Sequence, residues 1–229
     1  MIYLNTRNCG KILIASAAGI AFAWFFFAAV EAARRASENE RRRQERYVYK
    51  LNQEWITWEI KRLESGQASG VYFYSTSNSD LLVSKLAGMS EIKRLTFETT
   101  DLTDNGVSII AKLPNLEKLT VHGGTTSDIG LESLSQNQSL MTLHLVNVDL
   151  TDSGLPALFA IPKLEYLTIY CRKRSKNKLT NLAIHHLSKL KHLKKLNVGG
   201  GWLSSSAVDE LKTSLPDCEI VENFADDEW

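Results

Sequence analysis

Cysteine and proline are scarce in this chain of 229 residues, which has three of the first and four of the second. Cys9, Cys171 and Cys218 are odd in number and too scattered to form a disulfide framework or a Cys/His zinc constellation. Cys218 reads as a small apolar residue, and Cys171 opens a loop. A dominant sign of charge is also missing: 27 Lys and Arg stand against 26 Asp and Glu. Residues 1–50 hold nine of the basic and four of the acidic residues, so 51–229 carry 18 and 22, a net charge of −4. A protein that binds nucleic acid needs a basic face to displace counterions from phosphates, and that balance excludes one. Proline and glycine are both absent between Glu31 and Ser65, which removes the usual helix breakers from that stretch.

What is present begins with an apolar run. From Ile12 to Val30 there is no charge over nineteen residues, and a helix of that length spans roughly 28 Å, near the thickness of a bilayer core. Residues 12–30 are therefore expected to form a single transmembrane helix behind a short segment, 1–11. The competing reading is a cleaved signal peptide ending near Val30-Glu31-Ala32, but signal-peptide apolar regions stop at about 7–15 residues. Arg7 and Lys11 precede the run, whereas Arg34, Arg35, Arg41, Arg42, Arg43 and Arg46 follow it, a bias that puts the long C-terminal part in the cytoplasm. Long domains translocate largely regardless of charge, so external placement stays open. In 31–65, Val48, Leu51, Trp55, Ile56, Ile60 and Leu63 recur at three- and four-residue steps, which predicts a charged, amphipathic helix. Trp55 and Trp58 on it are expected to cap the open end of the next domain.

That domain is a repeat. The pattern Leu-x-x-Leu-x-Leu, with apolar substitutions, starts at Ile92, Leu116, Leu140, Leu164 and Leu193, at steps of 24, 24, 24 and 29. A second element repeats in phase: Leu102-Thr103-Asp104-Asn105-Gly106-Val107 matches Leu150-Thr151-Asp152-Ser153-Gly154-Leu155. Degraded copies begin at Ser127, Leu179 and Leu203. One step back, Val71-Tyr72-Phe73 reads as a divergent first strand, and one step forward Cys218 takes a strand position, so the array covers 68–222 in about six units. In each strand the pattern leucines point into a shared core and the residues between them point out. The Thr-Asp pair opens a return segment in which a short polar side chain accepts bonds from the free amides of the following turn. Apolar residues such as Val107 and Ile110 then pack a helix against the strands. Pro114 and Pro162 close the turn into the next strand, and the acidic tail 223–229 lies beyond the array.

These residues resemble the leucine-rich repeat superfamily. The Leu-Thr-Asp-x-Gly-Leu/Val element is similar to the cysteine-containing and ribonuclease-inhibitor-like subclass, in particular to bacterial membrane-anchored members. The resemblance covers about two thirds of the chain and implies an α/β solenoid, with a curved parallel sheet on the concave face and helices on the convex one. It implies binding of a protein partner through the concave face. The pattern departs from the superfamily where an Asn or Cys ladder normally follows the strand: Thr100, Gly124, Val148, Arg172 and Gly201 stand there instead.

Candidate binding residues follow from the outward strand positions. They form three columns: Arg94, Lys118, Thr142, Tyr166 and Lys195; then Thr96, Thr120, His144, Thr168 and Asn197; then Glu98, His122, Val146 and Tyr170. Tyr166 and Tyr170 bring apolar area with a hydroxyl at little entropic cost, the chemistry enriched in binding hot spots. The five-residue excess of the fourth repeat falls at Arg172, Lys173, Arg174, Lys176 and Lys178, a basic loop suited to an acidic partner or an anionic membrane surface, or simply to solvent. An enzyme needs converging groups, and none is evident. His122 and His144 read as surface residues, His185 and His186 point about 100° apart on a helix, and Gly199-Gly200-Gly201 lacks the pattern of a phosphate loop. The sequence therefore predicts a single-pass membrane protein that binds another protein, with no catalytic residue, metal, cofactor or small-molecule substrate. A self-assembling structural role is the main alternative.

Overall fold

Runs of five residues with alternating apolar side chains, recurring every 24 positions, form a sheet in which each strand meets the next copy of itself. In the computed structural model, residues 3–6, 9–13, 38–171 and 178–223 are described. They fall into two units, Met1–Trp58 with Asp227–Trp229, and Glu59–Asp226. In the first, β1 (Tyr3–Thr6) pairs antiparallel with β2 (Cys9–Leu13). Ile12 and Leu13, the first two residues of the predicted transmembrane span 12–30, lie in that strand. The rest of that predicted span, 14–30, lies outside the described residues, as do 31–37. Among the described residues no helix is long and apolar enough to cross a membrane. The amphipathic helix runs over Glu38–Glu64. Val48, Leu51, Ile56 and Leu63 are buried on it at the predicted steps, together with Asn52 and Glu59. Glu59 keeps Arg62 at 3.0 Å, and burial raises its carboxyl above the ordinary value despite that guanidinium.

The second unit holds seven parallel strands in sequence order. These are β3 (Gly70–Tyr74), β4 (Arg94–Glu98), β5 (Lys118–His122), β6 (Thr142–Val146), β7 (Tyr166–Tyr170), β8 (Lys195–Gly199) and β9 (Glu219–Asn223). Their register follows the repeat: Leu95 faces Leu119, Leu119 faces Leu143, and Leu167 faces Leu196 across the insertion. The inward columns are fully apolar from β3 to β8, and Phe73 stacks on Phe97 with centroids 4.5 Å apart. Each such buried side chain contributes roughly 1.5–3 kcal/mol relative to exposure. Between strands the chain returns through Ser79–Ser84, Asp104–Ile110, Asp128–Leu134, Asp152–Ala160, Asn181–Leu187 and Ser205–Ser214. Asp152–Ala160 is a 3₁₀ helix, not the expected α-helix. Pro156 inside it has no N–H to give, and its ring would collide with the carbonyl four residues back.

The Thr-Asp-x-Gly element joins one unit to the next. Thr103, Ser127, Thr151 and Thr180 each accept from the amide two residues on, as expected of helix caps. The aspartate serves the following unit. Asp80 accepts from the Thr103 N–H at 3.0 Å and from its hydroxyl, and Asp128 accepts from the N–H and hydroxyl of Thr151 at 2.9 and 2.6 Å. Asp104 and Asp152 do the same for Ser127 and Thr180. The glycine leaves room for that carboxylate: a Cβ at Gly106, Gly130 or Gly154 would lie 2.4, 2.6 or 2.3 Å from an oxygen of Asp80, Asp104 or Asp128. Ser79-Asp80 is thus a copy of the element. The sequence reading gave the first unit a strand only.

The residue after each of β3, β4, β5, β6 and β8 turns the chain out of the sheet through the left-handed region, with φ of 46° at Ser75, 55° at Thr99, 80° at Gly123, 54° at Asn147 and 91° at Gly200. A β-branched side chain is the poorest occupant of that region, at a cost of about 1–2 kcal/mol. Thr99→Asn, which copies Asn147, is therefore expected to stabilise the protein by about 0.5–1 kcal/mol in urea unfolding. An unchanged or lowered midpoint would show that Thr99 carries no strain.

Candidate functional site

The alternation that buries the leucines presents three outward columns on the other face of β3 to β9, and the structure places the predicted residues there. Arg94, Lys118, Thr142, Tyr166 and Lys195 occupy the first position, facing one another strand by strand. Thr96, Thr120, His144, Thr168 and Asn197 take the third, and Glu98, His122, Val146 and Tyr170 the fifth. Tyr166 is exposed, at 40%. Tyr170 is not: it is buried at 5% and offers no contact area, which corrects its assignment to the binding surface. Alternation settles which face a side chain leaves from, but not whether neighbours close over it.

Two tyrosines that the sequence reading left out do belong to this face. Tyr72 and Tyr74 sit on β3 at the third and fifth positions, opposite Thr96 and Glu98, and their rings stack at 6.4 Å. Their signal was the same two-residue alternation, read one repeat earlier. The Tyr72 hydroxyl donates to the Glu98 carboxylate, and burial raises the Glu98 carboxyl above its usual range. His122 lies 3.5 Å from the Asn147 amide. His144 faces Thr120, not His122, so the two histidines are not cross-strand partners. Burial, with Lys118 adding to it, pushes the His144 imidazole down to about 4, which keeps it neutral near pH 7. Asn197 donates to the Thr168 hydroxyl at 3.1 Å, while its own side-chain oxygen is buried without a partner among the described residues.

The basic loop is only partly visible. Arg172, Lys173, Arg174 and Lys176 lie outside the described residues. Lys178 is exposed, and its backbone N–H donates to the Leu150 carbonyl beside a bridge to Thr151.

Groups suited to chemistry do not converge in what is described. Among the described residues no three of His, Cys, Asp and Glu stand close enough to hold a metal ion. Burial pushes the Cys171 thiol up to about 12, so it stays protonated and unreactive. A cavity lined by Val198, Gly199, Trp202 and Glu222 has a volume of about 10 Å³, room for one water. The outward positions of the sheet are mostly polar, with Tyr72, Tyr74 and Tyr166 among them. No protein-family model matches the chain, and no curated protein matches it.

Proposed function

We propose that the chain is a leucine-rich repeat protein whose outward sheet face binds another protein. More particularly, we read it as a single-pass membrane protein, held by the apolar run 12–30, with the sheet-bearing unit in the cytoplasm. The doubled 24-residue phase and the strand-by-strand register support the repeat assignment. One observation carries the binding reading: the outward columns hold Tyr72, Tyr166, His144 and a row of threonines where the opposite face of the same strands is sealed apolar core. Tyrosine and histidine flanked by short hydroxyl side chains offer area and hydrogen bonds without the desolvation cost of many charges. The arginine excess after residue 30 supports the cytoplasmic placement.

Photo-crosslinking in cells tests this reading. A crosslinking residue at Thr120 or Thr168, on the outward face, is expected to trap a distinct polypeptide, and one at Ser108 or Ser133, on return segments, is not. Equal capture from both sets would sink the reading. Capture of further copies of this chain alone would favour self-assembly.

A further inference from the structure

Where the register sets one fully charged side chain against another, it matches opposite signs in one case and like signs in the other. Lys195 faces Glu219 and bonds it at 2.8 Å. At the strand entries Lys93 bonds Glu117 at 3.0 Å, and Lys194 bonds Glu165 at 2.9 Å. Arg94, by contrast, faces Lys118. Neither has an acidic partner among the described residues: Arg94 donates to the Ser69 hydroxyl, and the positions flanking the pair are Gly70 and Thr142. Two cations on adjacent strands, about 4.8 Å apart at the backbone, repel each other and weaken the sheet. An anion seated between them would turn that repulsion into attraction.

The surroundings suit such an anion. Thr96 and Thr120 face each other at the next outward position and carry hydroxyls that can donate. His144 lies opposite Thr120. Lys118 helps to keep its ring neutral, so it presents one N–H and one lone pair. We propose that Arg94 and Lys118, with Thr120 and His144 beside them, form a carboxylate subsite that takes an acidic residue of an extended peptide laid across the sheet. This rests on the reading of the outward face as a binding surface and adds the chemistry of what it binds. The net charge of −4 in 51–229 repels a polyanion such as nucleic acid, whereas a carboxylate carried on a peptide matches this one pair of cations. Tyr72 stands one strand from Arg94 and offers apolar area to the next peptide side chain.

The test uses the full chain in detergent and three dye-labelled decapeptides of alternating threonine and serine that differ only in one central residue, glutamate, glutamine or lysine, followed by fluorescence anisotropy at low salt. The glutamate peptide is expected to bind about tenfold more tightly than the glutamine one. Replacing both cations, Arg94→Gln with Lys118→Gln, removes that preference, and Lys112→Gln, at an exposed position after a return segment, leaves it within about twofold. Without peptide, the double variant is expected to melt about 1 °C above the parent, because a repulsion has gone; a lower melting temperature would mean that the pair serves the fold. Equal binding of the three peptides, undiminished binding by the double variant, or no binding of the glutamate peptide overturns the proposal. So does displacement of that peptide by inorganic phosphate at concentrations where acetate has no effect. If the glutamine peptide binds as well as the glutamate one and Tyr72→Ser weakens both, the face binds but the carboxylate assignment falls. If crosslinks arise equally from the return segments, the binding face itself falls.

Discussion

Gly200→Ala is expected to cost about 4 kcal/mol or more, a large fraction of the roughly 5–15 kcal/mol that holds an ordinary domain folded. Two separate penalties combine. Gly200 has φ of 91°, a conformation that an L side chain rarely adopts. A Cβ there would also lie 1.9 Å from the Cys171 carbonyl oxygen and 2.4 Å from its carbon. Those are backbone atoms, fixed by the Cys171 N–H bond to the Gly199 carbonyl at 3.1 Å, so they cannot swing aside. Gly66 supplies the control, since its φ is 73° but a Cβ would meet nothing within 4 Å. Gly66→Ala should therefore show conformational strain alone, about 1 kcal/mol. Urea unfolding of both variants decides the matter, and equal losses would mean that the close approach at Cys171 is not a constraint.

Asp104→Ala is expected to cost about 3 kcal/mol in the same measurement. Its carboxylate accepts from the Ser127 N–H and hydroxyl, each at 2.7 Å, and from the Gly130 N–H at 3.0 Å. Alanine would leave three donors at a partly buried junction without their acceptor, and each unmet donor costs about 1 kcal/mol or more. Asp104→Asn should lose only about 1 kcal/mol, since one oxygen still accepts from the two amides. The adjacent, exposed Asn105 is the reference. If Asn105→Ala destabilises as much as Asp104→Ala, the carboxylate is not what joins the units.

Much of this unit could be read from the sequence because the repeat marks itself twice. Leucine spacing predicted the strands, and the resulting register is the one found, through the 29-residue step between Leu167 and Leu196. The role of aspartate was half legible. Capping by Thr103 is a local event, set by residues two apart, whereas the bonds from Asp104 cross 23 to 26 residues and need the stack to exist. The same reason hid Ser79-Asp80, whose leucine partners had diverged. Tyr170 was misplaced because closure of neighbours over a side chain is a tertiary event, and periodicity fixes direction only. Pro156 was in plain view, but its effect on the return helix was not drawn out.

The aspartate ladder has a further consequence. Three successive junctions are made from the same atoms, a carboxylate on one side and a Thr or Ser amide and hydroxyl on the other, with a glycine clearing the space. Any unit carrying that set is therefore chemically interchangeable with its neighbours as a link, and the array can lose or gain whole 24-residue steps without an unmatched seam. The set thins toward the C-terminus, where Asn181 stands for the aspartate and Ala183 for the glycine, and among the described residues Asn181 accepts from the Ser204 N–H but not from its hydroxyl. A unit duplicated among the earlier copies would thus meet matched partners on both sides, whereas one duplicated near the last would not.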